Sequence, residues 1–284
     1  MNMRKLFYIF NTIILSFTLI SCDRINEPYI IGQDNPTDTG STHGTTVLLE
    51  DFTGHYCGNC PEAHALLKQL LDKYGEKLIP ISIHAGFFAG TIWDGFSTDY
   101  RTPEGEELAG YFNITDNPKG VINRTPFENE TVLSPDSWDA AIAEQLKKTA
   151  PVHINISTAF EAETRELNVM AEIIVLSDIE KTLSLTVYLT EDSLVSEQLD
   201  YNAEPQVIPN YTHRHVLRAS LNGTWGETIS SGIIYKGDII ERNYSAILSP
   251  EFNEKQCKVI VIISETESRE IIHVHENDQF FLIK

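Results

Sequence analysis

The chain has 284 residues, of which 42% are apolar and 10% aromatic, enough to bury a core and to exclude wholesale disorder. It carries 41 acidic against 21 basic residues, a formal net charge of −20. That balance excludes a nucleic-acid partner, because binding a phosphate backbone needs clustered Lys and Arg.

Residues 1–21 read as a targeting segment. Arg4 and Lys5 make a short basic start, and Leu6 to Ile20 is an apolar stretch diluted by Asn11, Thr12, Ser16 and Thr18. It is too short for a membrane span of about 20 residues. It ends in Leu19-Ile20-Ser21-Cys22, which resembles a bacterial lipobox. The resemblance implies cleavage before Cys22 and lipid on its thiol and amine; an uncleaved anchor and a plain signal peptide are the alternatives. Lipid on Cys22 would hold the protein on a membrane while the polypeptide stays in water. The compartment is then the cell envelope, which permits disulfides. Residues 22–44 read as a flexible tether, since the run Gly32 to Thr42 has many breakers and no apolar period.

Order is expected from Thr45. Thr46 to Phe52 is a mostly apolar run suited to a buried strand. Ala63, Leu66, Leu67, Leu70, Leu71 and Tyr74 share one helical face, and Gly75 fits a helix stop. Leu78 to His84 reads as the next strand, which makes a β-α-β unit. Residues 85–110, aromatic and then acidic, read as an insertion with some helix. Asp116-Asn117-Pro118 is a turn before a short strand at Gly120 to Asn123. Ser134-Pro135 opens a helix running to about Thr149. After Ala150-Pro151 the pattern changes to strands at 153–160, 167–176, 183–190, 212–221, 237–247, 258–264 and 271–275. Short strands at this spacing predict an all-β sandwich. The expected layout is therefore 45–150 for an α/β domain and 151–284 for a β-sandwich domain of immunoglobulin-like type.

The most informative feature is Cys57-Gly58-Asn59-Cys60, placed where the first strand gives way to the helix. Amide dipoles at a helix start stabilise a thiolate, and a second thiol one turn later can close a disulfide. Three readings stay open. The pair is a working dithiol, a fixed structural disulfide, or part of a metal site with His64, for which a fourth ligand is missing.

The order strand, Cys-x-x-Cys, helix resembles thioredoxin-fold proteins. Asp51, six positions before Cys57, matches the buried acid of that family. Tyr56 stands where many members have Trp. Pro118 resembles the cis-proline that faces the dithiol, with Thr125-Pro126 as a rival. The resemblance implies that Cys57 attacks a disulfide of an envelope protein, Cys60 resolves the mixed disulfide, and Asp51 accepts the Cys60 proton. Gly58-Asn59 departs from the usual Gly-Pro, which leaves the redox direction open. No cofactor and no bound metal is called for.

Other residues have plainer readings. His213 with His215, and His273 with His275, each share a strand face and could chelate a metal, but read first as ordinary strand-end histidines. Cys257 precedes Val259, Val261 and Ile263 at period two and reads as a buried small hydrophobe. Phe87, Phe88, Trp93 and Phe96 read as packing of the insertion, with a groove beside the dithiol as the alternative.

The whole layout resembles one family, the Bacteroidetes-type lipoproteins of outer membrane protein twenty-eight. The features that carry this are Cys22, Leu49 to Gly54 ahead of Cys57 to Pro61, Pro118 through Asn123-Arg124, and His215-Val216-Leu217-Arg218 leading into Leu221-Asn222-Gly223-Thr224-Trp225-Gly226-Glu227. The resemblance implies a protein lipid-anchored at the outer membrane of the cell envelope. Its expected activity is thiol-disulfide exchange on envelope proteins, with a non-enzymatic binding lipoprotein as the alternative.

Overall fold

The computed structural model describes residues 44–92, 94–277 and 280–283. The targeting segment, Cys22, almost all of the tether and Trp93 lie outside them. The first described elements follow the apolar pattern. Strand β1 (Val47–Thr53) is buried along its whole length and runs parallel to β2 (Leu78–His84). Between them lies α1 (Cys60–Tyr74), which buries Cys60, Ala63, Leu67 and Leu70 and stops at Gly75, where φ is +56°. Helix α2 (Pro103–Tyr111) starts at Thr102, whose hydroxyl accepts from the Gly105 N–H at 3.0 Å. Thr102→Ala should cost about 1 kcal/mol, read from the denaturation midpoint; an unchanged midpoint would show the cap to be idle. Strands β3 (Lys119–Ile122) and β4 (Val132–Leu133) and helix α3 (Trp138–Gln145) complete this part.

The second part is all strand: β5 (Val152–Glu161), β6 (Glu166–Val175), β7 (Leu183–Glu191), β8 (Leu194–Leu199), β9 (Val207–His213), β10 (Val216–Ser220), β11 (Glu227–Ser230), β12 (Ile239–Ile247), β13 (Cys257–Glu265), β14 (Ile271–Glu276) and β15 (Phe281–Ile283). Its pairing corrects the expected fold class, a thioredoxin-like α/β domain followed by an all-β sandwich. Strands of both parts form one mixed sheet in the order β14-β13-β7-β10-β2-β1-β3-β4, with β11 also paired to β7. The join is the pairing of Val216 with Ser82, backed by the Ser82 N–H donating to the His215 carbonyl at 2.8 Å. Strand β7 is buried at all nine positions because it is covered on both faces. Leu185, Val187 and Leu189 pack toward a second sheet, β12-β6-β5-β15, while Tyr188 packs with Phe52, Ile81 and Leu108 on the opposite face. Pattern reading assigns each strand a face but not a sheet, so it divided what hydrogen bonding joins.

Two further departures are local. The strand expected at 212–221 is broken at Arg214-His215, where His215 has φ +55°. Its first half, in β9, pairs only with β8, and its second half is β10. Strand β8 (Leu-Val-Ser-Glu-Gln-Leu) has too little apolar content to be seen in the sequence.

Candidate functional site

Alternation along β1 aims its side chains at two different environments. Leu48 and Phe52 enter the core shared with β7, and Glu50 on that side meets Arg124. Val47 and Leu49 pack under α1 and α3, so Asp51 and Thr53 also lie on the α1 side. Asp51 is fully buried, and neither carboxyl oxygen has a hydrogen-bond partner. Burial pushes its carboxyl from 3.8 up to about 7. The nearest cationic candidate is His64 Nε2 at 3.6 Å.

Cys57 and Cys60 are joined by a disulfide, and both are buried, 2% and 0% exposed. His64 lies one turn after Cys60 on α1. Its Nε2 is 3.0 Å from the Thr53 hydroxyl and its Nδ1 is 2.8 Å from the Tyr211 hydroxyl. It therefore turns toward Asp51 and β9, away from a shared metal position with the two sulfurs. Among the described residues no group of three His, Cys, Asp or Glu side chains could hold a metal. Pro118 follows a cis bond, whereas Thr125-Pro126 does not. Lys119 opposite Phe52 puts Pro118 at the end of the sheet where β1 runs into the disulfide loop.

The loop is covered by the β8–β9 hairpin. The Leu199 N–H donates to the His55 carbonyl at 2.8 Å and the Tyr201 N–H to the Gly58 carbonyl at 2.9 Å. Gln198 Nε2 donates to the Cys57 carbonyl at 3.1 Å and, at 3.4 Å, to that of Gly54. The Tyr201 ring lies so close over Gly58 that a Cβ there would sit 2.5 Å from it. On the other side, the Tyr56 N–H donates to the Phe88 carbonyl at 2.9 Å, and Phe96 packs on His55 and Tyr56 at 5.3 Å.

Beside α1 opens a cavity of about 480 Å³, lined among others by His64, His84, Tyr211, His213, Arg214 and His215. Burial pushes His64 down to about 4 and His213 to about 3, and lowers His84 and His215, so these imidazoles are neutral at pH 7. His213 ends β9 and His215 precedes β10, whereas His273 and His275 lie on β14, and among the described residues these histidines form no group that could hold a metal. Cys257 is buried in the inter-sheet core, which pushes its thiol up to about 12.

Sequence reasoning saw Cys57, Cys60 and Asp51 but missed what His64, Gln198, Tyr201 and Tyr211 do. His64 had a signal, since position i+4 from Cys60 shares its helix face. Gln198 had none, being 141 residues away from Cys57. The Leu221 to Glu227 segment acquires a structural role. Trp225 Nε1 and the Thr224 hydroxyl both donate to Glu107 on α2, at 2.6 and 2.5 Å, while Arg124, Arg269 and Tyr111 surround the indole.

The model of the family Outer membrane protein Omp28 matches residues 106–278. Among solved structures, HBP35 of Porphyromonas gingivalis is 20% identical over 84% of this chain and 76% of that one, with a TM-score of 0.63. Protein AGR_C_4864 from Agrobacterium tumefaciens is 14% identical over 86% and 99%, with a TM-score of 0.51. A domain of the outer membrane lipoprotein Omp28 from Porphyromonas gingivalis is 17% identical over 48% and 100%, with a TM-score of 0.34. The first two likenesses bear on the fold alone. No curated protein matches the chain.

Proposed function

Because this chain belongs to the Outer membrane protein Omp28 family and resides at the outer membrane of the cell envelope, we propose that it is a lipid-anchored, non-enzymatic binding protein. Cys22 carries the lipid, and the Cys57–Cys60 disulfide acts as a clip that shapes the loop after β1. Among the described residues no helix is long and apolar enough to cross a membrane. The observation that carries this reading is occlusion. The disulfide is closed, buried and covered by a hairpin hydrogen-bonded to the loop around it. The test is photocrosslinking on cells carrying either the parent or Cys57→Ala/Cys60→Ala. The same envelope partners should be captured by both; loss of those partners from the alanine pair would count against a purely structural clip.

Asp51 favours a second reading, thiol-disulfide exchange. A buried carboxyl without a partner, held half-protonated near pH 7, is costly as architecture and apt as a proton acceptor. Reduced Cys57 would attack a substrate disulfide, Cys60 would release the substrate thiols, and Asp51 would take the Cys60 proton. Cys60→Ser should then trap mixed disulfides through Cys57; an empty trap under turnover conditions, with no exchange on a model disulfide, would discard this reading.

A further inference from the structure

Strand β12 closes one end of the second sheet, and no strand among the described residues pairs with its outer edge. It runs nine residues in unbroken register with β6. The strands at the other sheet ends are shorter: β4 has two residues, β15 three and β14 six. A long open edge is a template for a further strand, and such edges are commonly blunted by Pro, Lys or a bulge. None of these interrupts β12.

The ladder fixes which backbone groups are free. The Leu248 N–H donates to the Arg165 carbonyl and the Val175 N–H to the Asp238 carbonyl, both at 2.9 Å. Even-numbered residues of β12 therefore bond to β6, while Ile239, Glu241, Asn243, Ser245 and Ile247 turn N–H and C=O outward. The Glu241 carbonyl accordingly accepts from the neighbouring Arg242 side chain, at 2.8 Å. The side chains of the same five residues are exposed, Ile239 by 58% and Ile247 by 78%.

This row is complementary to itself. A two-fold axis through Asn243 sets Ile239 against Ile247 of a second copy, and the reverse, so each exposed isoleucine meets another. Glu241 meets Ser245, whose hydroxyl can donate to the carboxylate, and Arg242 meets the ring of Tyr244. Outward-turned residues face outward-turned residues, so their N–H and C=O groups pair across the axis. An axis at Arg242 or Glu241 would set like charges face to face, and one at Tyr244 would leave Ile239 opposite no residue of the strand.

We propose that β12 is a dimerisation edge: two copies of this chain join β12 to β12, antiparallel about Asn243, and make one continuous sheet from two four-stranded ones.

The test uses the full chain, extracted in detergent. Sedimentation equilibrium in density-matched detergent, at roughly micromolar concentration, should return twice the mass of one chain. Asn243→Lys, which brings two lysines together on the axis, should halve that mass without moving the denaturation midpoint, because the side chain faces solvent. Should that variant fail to fold, Ile247→Lys removes the isoleucine pairs instead. Register is read by cysteine pairing. Cys57 and Cys60 are already joined and Cys257 is buried, so an introduced thiol is the reactive one among the described residues. Across the axis the Cα atoms of residue 243 would lie about 5.5 Å apart, within reach of a disulfide. Asn243→Cys should therefore form a covalent dimer on mild oxidation. Ile239→Cys alone should link at least about tenfold more slowly, since its two copies would lie about 27 Å apart along the strands. Mixing Ile239→Cys with Ile247→Cys should restore the rate. A parent of single-chain mass would overturn the proposal, as would Ile239→Cys linking to itself as fast as Asn243→Cys.

Discussion

Asp51→Asn should stabilise the folded chain, with a gain that is absent near pH 3, grows between about pH 4 and 7, and reaches about 4 kcal/mol near pH 8. The sign follows from the direction of the shift. In the unfolded chain the carboxyl ionises at its usual 3.8, while in the folded protein burial holds the proton until about pH 7. Between those values folding must return a proton to Asp51, so the stability it contributes is complete below pH 3.8 and is lost as the pH climbs to 7. Above that the protein buries a bare carboxylate to which no group donates a hydrogen bond. Asn has nothing to ionise and escapes the loss. Denaturant unfolding of both at pH 3, 5 and 8 measures the difference, and parallel stability curves would refute the burial argument. A buried carboxyl that carries such a penalty is the ground on which the exchange reading is proposed.

Arg124→Met should act in the opposite direction, costing about 3–5 kcal/mol. Arg124 Nε donates to Glu50 Oε2 at 3.0 Å and its Nη2 to Oε1 at 2.6 Å, with both side chains at most 1% exposed. The guanidinium also lies 5.2 Å from the Trp225 ring. Removing it strands a carboxylate in the core between β1 and β7, where no other cation among the described residues pairs with it. Glu50→Leu/Arg124→Met should recover much of the loss, because an apolar pair avoids the desolvation that the ion pair must overcome. The readout is the denaturation midpoint at unchanged slope, and a single-variant loss below about 1 kcal/mol would sink the argument.

The sequence was legible where chemistry and periodicity are local. The strand expected over Thr46 to Phe52 stands in the structure one residue later, as Val47–Thr53, and the apolar face of α1 and its stop at Gly75 lie where their spacing foretold. So do the long strands β5, β6, β7, β12, β13 and β14, whose alternation or continuous apolarity is strong. What periodicity does not encode is which strand lies beside which. Val216 next to Ser82 turns two expected domains into one sheet, and no residue near either position announces it. The cover of the site was illegible for the same reason. Ser196-Glu197-Gln198 looks like a solvated stretch, yet Gln198 is completely buried because its amide meets carbonyls on a loop far away in the chain. His64 is the intermediate case: its helical spacing from Cys60 was visible, but its bond to Tyr211 was not.

The Val216–Ser82 seam also decides when folding can finish. Beyond it, the Ile271 N–H donates to the Asn123 carbonyl, and the Thr46 hydroxyl donates to the carbonyl of Val274, 228 residues further along. Contacts of such separation make folding slow, because the loops must close before the pairings repay them. A chain emerging N-terminus first would present β2, buried at all seven positions in the finished protein, as an open edge until residue 216 followed it. An apolar edge of that kind templates pairing between chains. In a chain made in this order, pairing at Ser82 waits for a strand 134 residues further along, so the arrival of β10 rather than any local propensity sets when that edge can close.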